Sequence, residues 1–376
     1  MFVIKLDMNI TIAIISIIIL ATYCLTIIVF AIAFATKKTD NPSPETKQDF
    51  ISIIIACRNE ENNIIQLIES LLQQTYKGDY EILLIDDHSE DKTIKLATAY
   101  KDDRIKIINL PSKIHGKKAA LRFSVNHAKG KLLLFTDADC VIPYEWIEIM
   151  TSGLLSYNVD MLCGPVVFQN SKSIFSSFFK LEFMSMTGSG AAGFFIKQPF
   201  MCNGANYAVK KSVFTDNIMN LNEKYSSGDD VFLLHQTAKK GKVKFLKNDK
   251  ATVITQAPEN LRAFFDQRIR WASKTSGYKN PFSIFTTTLL VIMSLNLVFL
   301  SALSLFLPEI WEILLIAFIA KIIVDTVFMI PVCRFYGQIY LAALTPILQI
   351  FYPIYVVTTA ISSLFYKPHW KGRRIS

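Results

Sequence analysis

The chain has 376 residues, is 51% hydrophobic and carries a formal net charge of +9, and its mean hydropathy is +0.33. This composition is too apolar for an ordinary soluble domain, so membrane-spanning segments are expected. The six cysteines lack the paired spacing of a zinc site or disulfide framework, which favours a reducing compartment. The lysines are dispersed, so the charge points to anionic lipid or phosphate rather than to nucleic acid. No feature of the sequence identifies a protein partner.

The first long apolar segment covers residues 10–36 and contains no charged residue. Its length exceeds the ~20 residues that cross a bilayer. It is longer than the apolar region of a signal peptide and is followed directly by Lys37 and Lys38, so it is predicted to remain as an anchor. Positive charges favour the cytoplasmic side, which places the following residues in the cytoplasm.

Residues 50–257 have the mixed composition of one α/β domain. Four short apolar runs are predicted strands: "FISIIIAC", "YEILLIDD", "RIKIINL" and "KLLLFTDAD". Apolar residues at helical spacing separate them, with helices predicted from residue 64, over residues 91–100 and over residues 118–128. Strands that are apolar on both faces predict a mostly parallel sheet covered on both sides, whose ligands bind beyond the carboxyl ends of the strands.

Polar side chains follow three of these strands where each strand ends. They are Arg58, Asn59 and Glu60, then Asp86 and Asp87, then Asp137 and Asp139. Ser89 and Asp91 have an alternative interpretation as caps of the next helix. The i, i+2 pair of carboxylates after the fourth strand is better explained by a hard divalent cation, Mg²⁺ or Mn²⁺, that binds them and the oxygens of a diphosphate.

A second pair of acids, Asp229 and Asp230, stands at the predicted start of a helix. Acidic residues are common at helix N-termini, which is the structural alternative. A carboxylate here could also act as a general base, because a base needs above all to reach the proton of a hydroxyl.

Two further segments are candidates for contact with the membrane. Residues 258–281 contain "DQRIRWASK" and predict an amphipathic interfacial helix, in which Trp271 is either an interface anchor or a platform for a sugar ring. Residues 173–195 are rich in Phe and Met and predict a membrane-surface helix lining an acceptor entry, with a buried core helix as the alternative.

The C-terminal part, residues 282–366, contains three long apolar segments and is followed by a basic tail, residues 367–376. Three crossings after a cytoplasmic domain would place this tail outside, against the positive-inside tendency. Residues 339–365, interrupted by Pro346 and Pro353, are the best candidate for a re-entrant or interfacial path.

Seven motifs in fixed order resemble the membrane-bound inverting glycosyltransferases of family 2. They are "ACRNEENNI", "LLIDDHSEDKT", "HGKKAAL", "TDADC", "FMCNGANYAVKKSVF", "GDDVFLL" and "QRIRW". The resemblance implies a GT-A fold across about residues 50–274, with one N-terminal and two to three C-terminal transmembrane helices.

The resemblance also implies roles for individual residues. Asp86 or Asp87 would contact the nucleotide base, opposite a wall of Ala56, Arg58 and Glu60. Lys117 would contact the diphosphate, and Asp137 and Asp139 would hold the metal. Asn203, Gly204 and Ala205 would approach the acceptor. Asp230 would be the general base, with Asp229 beside it where the family usually has Glu. Gln267, Arg270 and Trp271 would lie at the diphosphate and acceptor end of the site.

The implied function is the inverting transfer of a sugar from a nucleotide-sugar donor, by family habit a UDP-sugar, to a lipid or lipid-linked acceptor at the inner face of the cell membrane. A processive polysaccharide synthase of the same family is the first alternative. A nucleotide-binding membrane scaffold or transporter is the second. No GxGxxG motif follows the first strand, which argues against a dinucleotide-binding oxidoreductase.

Overall fold

The computed structural model describes residues 2–43, 49–170, 174–218, 225, 227–366, 369–370 and 373–374. Its twelve strands in these ranges are β1 (Ile51–Cys57), β2 (Tyr80–Asp86), β3 (Ile105–Asn109), β4 (Leu132–Phe135), β5 (Cys140–Val141), β6 (Met161–Cys163), β7 (Val166–Phe168), β8 (Tyr207–Lys210), β9 (Val243–Phe245), β10 (Val253–Thr255), β11 (His369–Trp370) and β12 (Arg373–Arg374).

The α-helices in the same ranges are α1 (Phe2–Thr36), α2 (Ile64–Leu72), α3 (Thr93–Thr98), α4 (Lys117–Val125), α5 (Trp146–Ser156), α6 (Ile174–Phe195), α7 (Lys211–Asn217), α8 (Asp229–Lys240), α9 (Leu261–Ser273), α10 (Pro281–Leu303), α11 (Trp311–Phe335) and α12 (Thr345–Phe365). Helices α3 and α4 are shorter than the sequence pattern predicts. Asp91 accepts a hydrogen bond from the Thr93 amide at 2.9 Å, where α3 begins. The Ser89 hydroxyl instead donates to Asp86.

The main sheet has the strand order β3-β2-β1-β4-β8-β6-β9. The four predicted strands pair in parallel, which confirms the predicted α/β architecture. β1 and β2 are buried because helices cover both faces, as their continuous apolar runs predict. β3 is only half-buried because it is the edge strand, so the expectation of two covered faces is wrong for it. β8 runs antiparallel to β4 and brings a later segment to the same edge of the sheet.

The helix predicted on the membrane surface, α6, is instead largely enclosed. It packs against β7, α1 and α11, and apolar residues of its middle such as Leu181 and Met184 belong to the core. The buried alternative therefore describes its position. α9 also differs from a simple interfacial helix, because its Arg268 is 3% exposed and points inward rather than to lipid headgroups.

Four helical segments among the described residues are long and apolar enough to cross a bilayer: Asn9–Thr36, Pro281–Leu303, Pro308–Phe335 and Ile339–Phe365. The end of α1 is tied to the α/β domain, because the Lys247 ammonium donates to the carbonyls of Phe34 and Lys37 at 2.6 and 2.7 Å. Phe34 also contacts Phe335 at the end of α11, so these two helices reach the domain together.

The last apolar segment has both of its ends beside the α/β domain. At its start the Gln338 amide donates to Asn170 at 3.1 Å. At its end Ser363 lines a small cavity together with Thr275 and Ser283. The Ser283 hydroxyl donates to the carbonyl of Phe200, which belongs to the domain. A helix that simply crossed a bilayer away from the domain would not have this placement.

Candidate active site

One cavity of about 850 Å³ opens at the carboxyl ends of the parallel strands. It gathers the predicted site residues from all parts of the α/β domain and from α9. The predicted residues that line it are Ala56, Arg58, Glu60, Asp87, Lys117, Asp137, Asp139, Asn203, Gly204, Ala205, Asp229, Asp230, Gln267, Arg270 and Trp271. Asp86 is the exception: its carboxylate accepts from the amide of Ser89 at 3.1 Å and holds the loop that follows β2.

The centre of the cavity is a cluster of carboxylates held by cations. Asp137 forms an ion pair with Lys117 at the start of α4. Burial disfavours the charged form of Lys117, but Asp137 and Asp229 outweigh that effect and raise the pKa of this ammonium. The ammonium of Lys274 lies 3.9 Å from Asp230 Oδ1. The five charged groups therefore share one electrostatic environment.

The pKa of Asp230 is raised above its ordinary value. Burial is the largest cause, Lys274 opposes it, and the neighbouring Asp229 adds to it through charge repulsion. A carboxylate with a raised pKa is a stronger base, which suits a group that must remove a proton from a hydroxyl. The Oδ1 atom of Asp230 also accepts from the amide of Val231 at 2.8 Å, which fixes the side chain at the helix start.

The donor atoms around Asp137 and Asp139 fit a hard divalent cation. Both carboxylates line the cavity, and the buried Oδ2 atom of Asp229 has no hydrogen-bond partner among the described residues. Burial lowers the pKa of the Arg270 guanidinium, while Asp137, Asp139 and Asp229 act in the opposite direction. Carboxylate oxygens beside a space that can admit phosphate are the ligands that Mg²⁺ and Mn²⁺ prefer.

The proposed nucleotide side of the cavity is built by loops after β1 and β2. The Arg58 guanidinium donates to the carbonyl of Asp87 at 2.8 Å and to that of His88 at 2.6 Å. Asp87 in turn accepts from the amide of Gly116 at 3.0 Å, immediately before Lys117. Hydrogen bonds therefore join the three loops that carry these residues, and Asp87 sets the position of Lys117.

The segment predicted to approach the acceptor passes close to both Lys117 and Asp230. A Cβ atom placed on Gly204 would lie 3.3 Å from Lys117 Nζ and 3.5 Å from Asp230 Oδ2. The Asn203 side chain accepts from the amide of Ala205 at 2.9 Å and shapes this turn. Glycine at position 204 thus keeps the space between the cation and the base open.

Helix α9 supplies Gln267, Arg270 and Trp271 to the cavity wall, and Arg268, which also lines the cavity, holds them in place. The Arg268 guanidinium forms a buried ion pair with Glu182 of α6 and a hydrogen bond with the Gln267 side chain. It also lies 4.4 Å from the ring centre of Trp271.

Several residues of the site were not predicted from the sequence. Lys274 lies within the quoted "DQRIRWASK" segment, but no role followed from that pattern. Glu182 is one of two charged residues in an apolar segment, a signal that could have suggested a buried partner. His88 and His115 flank Asp87, with ring centres 4.6 Å apart, and nothing in their sequence spacing indicates this meeting.

The cavity continues from the carboxylates into the space between the long apolar helices. Its lining there includes Phe30 of α1, Leu290 of α10, Phe328 of α11 and Val356 of α12. The carboxylate cluster and the apolar helices therefore border one continuous space.

Comparisons with known proteins agree with this geometry. Residues 52–216 match the family model "Glycosyl transferase family 2". The chain is similar to the Escherichia coli protein named UDP-Glc:alpha-D-GlcNAc-diphosphoundecaprenol beta-1,3-glucosyltransferase WfgD, with 30% identity over 128 residues, 34% of this chain and 50% of WfgD. It is similar to human dolichyl-phosphate beta-glucosyltransferase, with 31% identity over 120 residues, 29% of this chain and 36% of the human protein. The chain thus spans half or less of the length of these relatives.

Among solved structures, the mannosyltransferase PcManGT from Pyrobaculum calidifontis, in complex with GDP-Man and Mn²⁺, matches 94% of this chain and 99% of its own. The TM-score is 0.58 at 17% identity, so this likeness concerns the fold. It extends beyond the α/β domain to nearly the whole chain. Motifs, sheet topology and the family match lead to the same conclusion: residues 52–216 match glycosyl transferase family 2, and the chain has a GT-A-type fold.

Proposed function

We propose that this protein transfers one sugar from a nucleotide-sugar donor, with a UDP-sugar as the first choice, to a hydroxyl of a lipid or lipid-linked acceptor, with inversion at the anomeric carbon. The observation that carries the proposal is the single cavity that joins Asp137, Asp230 and the apolar faces of the membrane helices. A soluble acceptor would not need a site that is continuous with these helices. The name of WfgD includes a UDP-sugar and a diphosphoundecaprenol acceptor, and the human relative is named for a dolichyl phosphate.

Asp230 is the proposed general base. Its raised pKa and its position beside Gly204 allow it to take the proton of an acceptor hydroxyl that enters from the membrane side. The acceptor oxygen then forms a bond to the anomeric carbon as the bond to the diphosphate breaks. One such displacement inverts the configuration, so an α-linked donor gives a β-linked product.

The negative charge that develops on the departing diphosphate is balanced by Lys117 and Arg270. Both side chains line the cavity and lie in the field of Asp137. Asp137 and Asp139 would hold Mg²⁺ or Mn²⁺, which when bound supplies further positive charge to the leaving group. The Mn²⁺ named with the mannosyltransferase of the same fold supports this choice of metal. Trp271 offers an aromatic face for the sugar.

The proposed location is the inner face of the cell membrane, with the domain of residues 50–257 in the cytoplasm. Lys37 and Lys38 follow the first candidate span, and the positive-inside tendency places them on that side. Both ends of residues 339–365 lie beside the domain, so we favour a re-entrant path for this segment. The basic tail would then be cytoplasmic as well, although most of it lies outside the described residues.

The proposal is tested by nucleoside diphosphate release from the purified protein in lipid nanodiscs. UDP-glucose, UDP-N-acetylglucosamine, UDP-galactose and GDP-mannose are offered in turn, with Mn²⁺ or Mg²⁺ and a membrane lipid extract. We expect release from one donor that requires both metal and lipid. The Asp230→Asn protein should lose about 100-fold or more, the contribution typical of a general base, while donor binding stays close to wild type.

Other outcomes separate the alternatives. A long carbohydrate product that grows on one chain would favour a processive synthase. Binding of a nucleotide sugar without turnover under any lipid condition would overturn the enzymatic proposal and favour the scaffold or transporter.

A further inference from the structure

Helix α12 presents an unusual face to the part of the cavity that lies between the membrane helices. Leu348, Tyr355, Ala360, Ile361 and Leu364 line it, and beside them lies a stripe of six residues at the spacing i, i+4, i+7, i+11, i+14 and i+18: Thr345, Gln349, Tyr352, Val356, Thr359 and Ser363. All but Val356 carry a hydrogen-bonding group. The opposite face of α12 is apolar and exposed, as at Ile350 and Phe351, which are 55% and 64% exposed.

A surface helix of a soluble protein has its polar side chains outside and its apolar side chains inside, and α12 has the reverse arrangement. Exposed apolar side chains such as Ile350 and Phe351 face outward, where lipid would lie, and the polar stripe faces the cavity. Polar residues inside membrane segments generally face a bundle interior or a cavity and mark substrate paths or helix contacts. The hydrogen bonds that the stripe residues make distinguish a substrate path from a helix contact.

Two hydroxyls of the stripe have no hydrogen-bond partner among the described residues, namely those of Thr345 and Thr359. Both residues are buried, at 1% and 7% exposure. Other hydroxyls in the membrane helices bond back to a carbonyl four residues earlier, as Thr286 does at 2.9 Å and Thr326 at 2.7 Å. A buried hydroxyl without a partner is unfavourable, so these two groups indicate a ligand that supplies one.

The middle of the stripe is held in place by a satisfied charge cluster. The Lys321 ammonium of α11 pairs with Asp325 and donates to Gln349. Asp325 also accepts from the hydroxyl of Tyr23 in α1 at 2.9 Å. Helix α12 is thereby fixed to its neighbours, and its free hydroxyls lie on either side of this anchor along the helix.

Other parts of the lining between these helices are apolar. They include Ile27 and Phe30 of α1 with Phe328 and Met329 of α11. The cavity therefore offers both hydrocarbon contacts and hydrogen bonds. A plain hydrocarbon chain would use only the hydrocarbon contacts.

We infer that the polar face of α12 is a second binding subsite, which recognises hydroxyl groups of the acceptor away from the one that reacts. The acceptor class is then a lipid with a polyhydroxylated headgroup, such as a glycolipid, in preference to a simple long-chain alcohol. This inference rests on the proposed function, because it takes the occupant of the cavity to be the acceptor.

The test compares two probes that share one hydrocarbon chain, dodecyl β-glucoside and dodecanol. Radiolabelled probe bound by the full-length protein in nanodiscs is measured for wild type and for Thr345→Val/Thr359→Val. We expect wild type to bind the glucoside at least tenfold more tightly than the alcohol. Thr345 and Thr359 are about 21 Å apart along α12, so one glucose reaches only one of their hydroxyls. The double variant should lose about fivefold for the glucoside, the effect of one ordinary hydrogen bond, and less than twofold for the alcohol.

Thr326→Val is the matched control, because Thr326 bonds to its own helix and does not line the cavity. Its affinities should equal those of wild type. Valine has the shape of threonine, and removal of an unpartnered hydroxyl should not lower thermal stability. Equal binding of the glucoside by wild type and double variant, an equal loss for both probes, or no preference in wild type would each overturn the subsite.

Failure of the subsite and failure of the proposed function are distinguishable. Sugar transfer is read separately by nucleoside diphosphate release. Transfer with an unchanged binding pattern in the double variant would reject the subsite alone. The expected binding pattern without transfer from any donor would reject the glycosyltransferase activity and retain the polar lipid site.

Discussion

Lys274 should set the pH at which the catalytic base becomes active. Its ammonium lies 3.9 Å from Asp230 Oδ1 and lowers the pKa of a carboxyl that burial raises. A pair of charges about 4 Å apart interacts by about 1 kcal/mol in water and about 4 kcal/mol at an effective dielectric constant of 20. One pKa unit corresponds to about 1.4 kcal/mol, so the loss of this interaction in Lys274→Met is large enough to raise the pKa of Asp230 measurably.

The assay is the pH dependence of kcat/KM, which reports the essential groups of the free enzyme. Asp230 must be deprotonated to act, so a higher pKa moves the acid limb of the profile to higher pH. Metal is kept saturating at every pH so that protonation of its ligands does not contribute. Lys239→Met serves as the control, because Lys239 is exposed in the last turn of α8 and its removal should leave the limb in place.

An acid limb that stays in place in Lys274→Met, or moves to lower pH, would mean that the limb does not report Asp230 under the influence of Lys274. If the wild-type profile has an acid limb and Asp230→Glu leaves that limb at the same pH, the assignment of Asp230 as the base would also be wrong.

Three further substitutions test the rest of the site. Gly204→Ala should leave thermal stability unchanged but raise the KM for acceptor about tenfold or more, because the new methyl enters the space beside Lys117 and Asp230; an unchanged KM would show that this space is not used. Asp139→Asn should weaken Mn²⁺ binding at least tenfold in the presence of UDP, measured by electron paramagnetic resonance; equal binding would remove Asp139 from the metal site. Glu182→Gln leaves the buried cation of Arg268 without its counter-charge and should cost about 3–5 kcal/mol of stability, seen as a lower melting temperature in detergent. Replacement of both partners by Met should recover most of that loss, and a stable single variant would refute the role of the pair.

The strand ends could be predicted from sequence because a parallel sheet brings them together by its own geometry. Continuous apolar runs identified β1, β2 and β4, so Asp87 and Asp137 were expected at one edge. The choice between Asp86 and Asp87 could not be made in this way. Adjacent residues at a strand end point in opposite directions, and only the full loop structure shows which one faces the cavity.

Contacts between distant segments were beyond the sequence pattern. The ion pair of Glu182 with Arg268 joins two helices separated by 86 positions, and no local periodicity encodes such a meeting. α6 was misplaced for a related reason. A helix that is apolar on all sides has the same composition whether it lies in lipid or in a protein core, and its neighbours decide between them.

The path of residues 339–365 shows what hydropathy leaves out. A mean over a window records how apolar a segment is but not the direction in which its polar residues point. In α12 those residues share one face, and that face lines the cavity that begins at Asp230. A segment with both ends beside the domain and a polar inner face is suited to form the wall of a substrate site. The polar face of α12, which mean hydropathy does not record, therefore makes this segment a good candidate for acceptor recognition.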